Sequence, residues 1–106
     1  MWAQLRDVEN HLYVSAASAW EIEIKVRIGK MSLPRNPALY VPRRARASNI
    51  LSLPITEEHA LAVAELPMEH SDPFDRMLTA QAQLENLTIV TADSVFERYD
   101  VRCVLV

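Results

Sequence analysis

An α/β fold, with a mostly parallel sheet covered by helices on both faces, is what this sequence predicts, and three observations predict it. Short apolar runs alternate along the chain with longer stretches that carry helix start and stop signals. Two of those runs, Leu87–Val90 and Cys103–Val106, are almost unbroken in their apolar character, as strands buried on both sides of a parallel sheet are. The chain has 106 residues, half of them apolar and 24% charged, which suits one small domain spanning residues 1–106 and one core.

The elements follow in order. His11–Val14 is an apolar run ending at Ser15 and reads as a buried strand. Ser18-x-x-Glu21 has the form of a capping box, opening a helix over Ala17–Ile28 that Gly29 closes. Ile22, Ile24, Val26 and Ile28 alternate with Glu21, Glu23, Lys25 and Arg27, a period-two signature that favours a strand. The cap and the closing glycine decide for helix. Its core stripe is then Ala17, Trp20, Ile24 and Ile28, and Ile22 and Val26 form a second apolar face that needs cover, such as a partner chain.

Pro34, Pro37 and Pro42 mark residues 31–42 as a connection, and a helix from about Pro42 to Ile50 carries arginines. Leu51–Ile55 reads as a short strand. Thr56 caps a helix whose apolar residues continue to Leu66, before Pro67. Asp72-Pro73 is a cap followed by proline in the first helical position, opening a helix to about Asn86. The stripe of that helix is Phe74, Met77, Leu78, Ala82 and Leu84. Leu87–Thr91 is a strand, Asp93-Ser94 starts a short helix to Tyr99, and Val101–Val106 is the last strand.

Composition narrows the chemistry. The single glycine, Gly29, excludes the glycine-rich loops of nucleotide sites. The single cysteine, Cys103, excludes an internal disulfide and a cysteine-rich zinc site, which favours a reducing cytoplasm. His11, His59 and His70 form no metal-binding pattern. No apolar run approaches the roughly 18 residues of a membrane span, and the N-terminus lacks a signal-peptide core. Carboxylates and hydroxyls remain.

Charge is segregated although the net value is only −3: Lys25–Arg46 holds seven bases and no acid, whereas Glu57–Asp100 holds ten acids and two bases, Arg76 and Arg98. A basic arm beside an acidic half can hold phosphates close to metal-binding carboxylates. Arg43, Arg44 and Arg46 are the candidates for contact with nucleic-acid phosphates; a solvated helix face explains them at least as well. Arg76 is expected to pair with Asp72, with contact to phosphate as the alternative.

Three carboxylates are predicted to meet at one end of the sheet. Glu21 follows the strand ending at Ser15, and Asp93 follows the strand ending at Thr91, so both sit outside the carboxyl ends of strands, where ligands collect. Asp75 opens a helix that feeds the strand at Leu87. Its roughly 14 residues, at about 1.5 Å each, carry the helix start back over about 21 Å to the same end. Carboxylates that converge must take up a proton or share a cation, and oxygen-only ligands select hard ions such as Mg²⁺ or Mn²⁺. Such an ion suits phosphodiester hydrolysis. Each acid also has a plainer explanation: a capping box for Glu21, a first helical turn for Asp75, an N-cap for Asp93.

The stretches Val14-Ser-Ala-Ala-Ser-Ala-Trp-Glu-Ile22, His70-Ser-Asp-Pro-Phe-Asp-Arg-Met-Leu-Thr-Ala-Gln-Ala82 and Ile89-Val-Thr-Ala-Asp93 resemble the PIN-domain family, specifically VapC-type toxins of bacterial toxin–antitoxin pairs. Essentially the whole chain takes part, including Leu53-Pro-Ile-Thr56. The resemblance implies a three-layer α/β/α sandwich and a Mg²⁺- or Mn²⁺-dependent endoribonuclease of a type II toxin–antitoxin pair. It further implies RNA as substrate, a cognate antitoxin as partner, a homodimer, and no membrane. The family's acidic positions fall on Glu21, Asp75 and Asp93 as catalytic and metal-binding residues, and Ser15 and Thr91 match polar positions beside them.

One departure accompanies the resemblance. The family begins with a strand bearing a Leu-Asp-Thr-type motif, then a helix, and neither occurs in residues 1–14, where Asp7 and Glu9 read as part of a helical remnant. Loss of a central strand is expected to leave its neighbours unpaired, to be met by rearrangement, by pairing with another copy, or by marginal stability. A catalytically impaired, N-terminally truncated domain that binds an antitoxin or itself is therefore the alternative to an active ribonuclease.

Overall fold

The computed structural model describes residues 3–68 and 71–106; His70, at the head of the His70–Ala82 motif, lies outside them. A five-stranded sheet holds β1 (Gln4–Arg6), β2 (Leu12–Ser15), β3 (Ile50–Leu53), β4 (Thr88–Thr91) and β5 (Cys103–Leu105) in the spatial order β3-β2-β1-β4-β5. The helices are α1 (Ala16–Arg27), α2 (Pro37–Ala47), α3 (Glu57–Ala62) and α4 (Pro73–Glu85), with 3₁₀ turns at Val63–Glu65 and Ser94–Arg98. β2 pairs parallel with β3 and β4 parallel with β5, so four of the five strands run the same way, and the α/β class is as the sequence predicts.

The exception is the central strand. β1 is antiparallel to both neighbours, setting Leu5 opposite Tyr13 on β2 and opposite Ile89 on β4. Among the described residues no gap separates β2 from β4, because β1 lies between them and pairs with both. Asp7 and Glu9 are not helical: residues 7–10 form the turn between β1 and β2, with Asn10 at φ 68°, a left-handed conformation that asparagine tolerates. The Asp7 carboxylate holds the turn together. It accepts from the amides of Glu9 and His11 (both 2.9 Å), from His11 Nδ1 (2.9 Å) and from the Tyr13 hydroxyl (3.3 Å).

Leu5 is fully buried, packed in one cluster with Leu78, Ala82, Leu87, Ile89 and Phe96; Leu66, Ala80 and Tyr99 form a second cluster. Burying such side chains contributes about 1.5–3 kcal/mol each, so a three-residue strand in the middle of the sheet is held by its core contact as well as by its ladders.

Several sequence expectations are corrected. α1 starts at Ala16, with the Ser15 hydroxyl accepting from the Ala17 amide, so Ser15 rather than Ser18 is the cap. Its buried residues are Ala17, Ser18 and Ile22, whereas Trp20 and Ile28 are exposed. Ile22 is buried within the chain itself, on the helix that packs against α2, whereas Val26 is only partly buried. α2 begins five residues earlier than expected, because Asn36 caps it and Pro37 occupies its first turn. It tolerates Pro42 inside, on a helix with no buried residue. β5 is an edge strand, and Val104, Leu105 and Val106 are exposed rather than covered on both sides. In α4, Leu78 and Ala82 are buried as expected but Leu84 is exposed.

A buried polar chain joins these elements. Ser15 Oγ donates to Gln81 Oε1 (2.5 Å), Gln81 Nε2 donates to the Pro54 carbonyl (3.3 Å), and His59 Nδ1 accepts from the Thr56 amide (3.1 Å). That acceptance leaves His59 Nε2 as the donor to Glu85 Oε1 at 2.9 Å. Arg76 is also buried, and it does not bear out the expected pairing with Asp72 as its main anchor: its guanidinium donates to the carbonyls of Val63, Leu66 and Pro67. Among the described residues no helix is long and apolar enough to cross a membrane.

Candidate active site

The strand order sets the location of the site. From β2 the chain steps outward to β3, then returns across the sheet to β4, so the order reverses between β2 and β4. A crevice forms at such a switch point, beyond the carboxyl ends of the parallel strands. Because β1 runs the opposite way, its amino-terminal neighbour Ala3 comes to this end, where a parallel strand would have brought its carboxyl end.

A cleft of about 230 Å³ lies there, lined by Ala3, Ser18, Glu21, Lys25, Asp72, Asp75, Leu78, Thr91, Asp93 and Phe96. The three carboxylates singled out from the sequence therefore share one cleft, although they come from α1, the start of α4 and the turn after β4. Among the described residues, no group of three His, Cys, Asp or Glu side chains is close-set enough to form a ready-made ion site. The donor chemistry, carboxylate oxygens with no nitrogen or sulfur, fits a hard divalent cation, while the spacing leaves the ligand set open.

Each acid is held differently. Glu21 is not in the first turn of α1, so capping does not explain it; it forms an ion pair with Lys25 Nζ at 3.5 Å, four residues on, in the favourable Glu-before-Lys order. Ser18, Glu21 and Lys25 fall three and four residues apart, on one helical face. Asp72 caps α4: its Oδ1 accepts from the amides of Phe74 (2.8 Å) and Asp75 (3.2 Å). The backbone of Asp75 is thereby fixed, and its carbonyl accepts from Thr79 Oγ1 at 2.9 Å. Asp93 Oδ1 accepts from the Val95 amide at 3.0 Å, capping the 3₁₀ turn. Thr91, buried at the end of β4, accepts the Asp93 amide on its hydroxyl at 3.1 Å. Capping and clustering are compatible, because the caps at Asp72 and Asp93 each engage a single carboxylate oxygen, Oδ1.

Other sequence candidates sit elsewhere. The Ser15 hydroxyl is committed to Gln81 and the Ala17 amide, and it lines a different cleft with Val41 and Ala45. Arg43, Arg44 and Arg46 are exposed on α2. Arg44 and Arg46 line clefts that contain none of the three carboxylates. The residues that sequence reasoning missed are Ser18, Lys25 and Asp72. Their signal was present as the polar spacing of Ser18, Glu21 and Lys25, and as Asp72 three positions before Asp75, but which face of each helix lines the cleft is set by tertiary packing.

Comparison with known proteins identifies the family. The sequence pattern described as PIN domain matches residues 2–102. Over 58 residues the chain is 45% identical to "Ribonuclease VapC16" of Mycobacterium tuberculosis, a match covering 55% of this chain and 40% of that relative. The chain thus matches well under half the length of that protein. No solved structure gives a significant match.

Proposed function

This chain belongs to the PIN domain family, and from that premise we propose that it is a VapC-type endoribonuclease that hydrolyses RNA phosphodiesters with Mg²⁺ or Mn²⁺. The observation that carries this reading is the meeting of Glu21, Asp75 and Asp93 in one cleft from three distant parts of the chain. The likeness to a ribonuclease over 58 residues supports it. Glu21, Asp75 and Asp93 are the residues that would hold the ion. Bound there, the cation supplies Lewis acidity toward the phosphodiester and lowers the pKa of water.

The chain's own groups do the rest. Lys25 keeps Glu21 oriented and brings a positive charge to the cleft for a phosphate oxygen. Asp72 fixes the start of α4 and with it Asp75, and Thr91 fixes the turn that carries Asp93. Ser15 acts at one remove, as the cap of the helix that presents Glu21. Arg43, Arg44 and Arg46 contact RNA away from the cleaved bond. A cognate antitoxin and a second copy of the chain are the protein partners, and the cytoplasm is the compartment.

The test is cleavage of single-stranded RNA with Mn²⁺, with Mg²⁺ and in EDTA, for the native chain and for Asp75→Ala. Cleavage that needs the ion and vanishes in the variant is expected. Equal cleavage in EDTA would overturn the proposal.

A second reading, a non-catalytic module that binds an antitoxin or its own copy, is favoured by the open ligand set and by Ala3 in the cleft. An ion bound only by the folded chain must raise the melting temperature. Absence of any rise at millimolar Mn²⁺ would select this reading.

A further inference from the structure

We propose that Trp20, braced by Phe74, is a stacking platform for an unpaired nucleobase beside the carboxylate cleft, an inference that rests on the ribonuclease reading above. The sequence pattern assigned Trp20 to the core stripe of α1, yet its side chain is 60% exposed. Among the described residues it is the one aromatic that is mostly open to solvent. It is nonetheless held in place. Its ring centroid lies 5.5 Å from that of Phe74 across α1 and α4, with the planes at 79°, the edge-to-face geometry that aromatic pairs favour. A ring already fixed in this way loses little freedom when a ligand stacks on it.

The position is specific. Trp20 immediately precedes Glu21, and Phe74 immediately precedes Asp75. One residue is about 100° of helical turn, so both rings stand beside the carboxylates while neither lines the cleft itself. On this proposal, a strand whose phosphate enters the cleft sets an adjacent nucleotide against the exposed Trp20 ring, next in sequence to Glu21.

Charge explains why such a contact is needed. The segment from Glu57 to Asp100 carries ten acids against two bases, which opposes a polyanion, and the arginine-bearing helix α2 borders other clefts. Base–aromatic stacking is indifferent to that charge, contributes about 1–3 kcal/mol per base, and tolerates any base because each has a π-face. Paired bases offer no free face, so the ligand class is single-stranded RNA.

The experiment measures binding of a short single-stranded RNA in metal-free buffer, so that it does not depend on catalysis. Trp20→Ala is expected to weaken Kd by about five- to 150-fold, whereas Trp20→Phe stays within about threefold. Moving a single abasic nucleotide along the RNA should weaken binding to the native chain sharply at one position and leave Trp20→Ala indifferent to it. If Trp20→Ala unfolds, as circular dichroism would report, Trp20→Phe and the abasic series decide alone. Undiminished RNA binding by Trp20→Ala, or no RNA binding by the native chain, overturns the proposal. A variant that binds RNA normally but fails to bind a peptide partner overturns it in favour of a protein-docking role. Failure of the ribonuclease reading shows separately, as metal-independent cleavage.

Discussion

The central position of β1 can be tested by truncating its one core side chain. Leu5 is fully buried among Leu78, Ala82, Leu87, Ile89 and Phe96, so Leu5→Ala leaves a void in a packed site. Such changes cost about 2–5 kcal/mol, the upper end applying where the surroundings cannot collapse. The neighbours belong to α4, β4 and the 3₁₀ turn, and the backbone of Leu5 is locked in ladders on both sides, which limits collapse. For a chain of this length the unfolding entropy is about 0.2 kcal/mol/K, so the melting temperature should fall by roughly 10–25 °C. Val8→Ala is the control: Val8 sits in the adjoining turn, 79% exposed, and surface changes of this kind stay within about 0.5 kcal/mol. Thermal melts of the three proteins, followed by far-ultraviolet circular dichroism, supply the measurement. If Leu5→Ala melts within about 2 °C of the native chain, then β1 does not occupy the middle of the sheet, and the placement of Ala3 at the cleft fails with it.

Two further outcomes are expected. Ala3→Asp adds a carboxylate to the cleft; in metal-free buffer it should lower the melting temperature through like-charge repulsion, and it should tighten Mn²⁺ binding about tenfold, or 1.4 kcal/mol, as followed by calorimetric titration. An unchanged Mn²⁺ affinity would separate Ala3 from the carboxylates. The β1–β2 turn should be sensitive to pH. Partial desolvation works to raise the Asp7 carboxyl, but its bonds to the His11 ring and to the His11 and Glu9 amides outweigh this and lower it from its ordinary 3.8. The Asp7 hydrogen bond and charge raise His11 from 6.5. The lowered Asp7 contributes above 3.8 and is lost as pH falls through its folded value; the raised His11 contributes fully below 6.5 and is lost as pH climbs through its folded value. The melting-temperature difference between the native chain and His11→Ala should therefore be larger near pH 5 than near pH 9, and an equal difference at both would remove the pair from the stability of the turn.

Much of this architecture is legible in the residues because its signals are local. Asp72-Pro73 fixes the start of α4 by capping and by the φ of proline, Thr56 starts α3, Asp93 caps the turn after β4, and Gly29, with φ +79°, follows the end of α1. That the three acids line one cleft was also readable, since strand ends and helix length constrain where they sit; their spacing within it was not. The register of α1 was not. Ser15 and Ser18 are both plausible caps, and neither choice says which face of the helix is buried; packing against α2 and α4 buries Ala17, Ser18 and Ile22 and leaves Trp20 outside. Arg76 was misjudged because its guanidinium donates to main-chain carbonyls, which have no sequence signature.

By itself, then, the order of amino acids determined the class and most helix boundaries, consequences of short-range sterics and hydrogen bonding, and pointed to three carboxylates that line one cleft. Tertiary structure alone decided that Gln4–Arg6 becomes the reversed centre of the sheet. Three residues with a single apolar side chain carry no periodicity, and such a segment is a strand only because two open strand edges and a hydrophobic socket for Leu5 await it. The same long-range pairing places Ala3 at the cleft, and it is packing between α1 and α4 that turns Trp20 outward against Phe74.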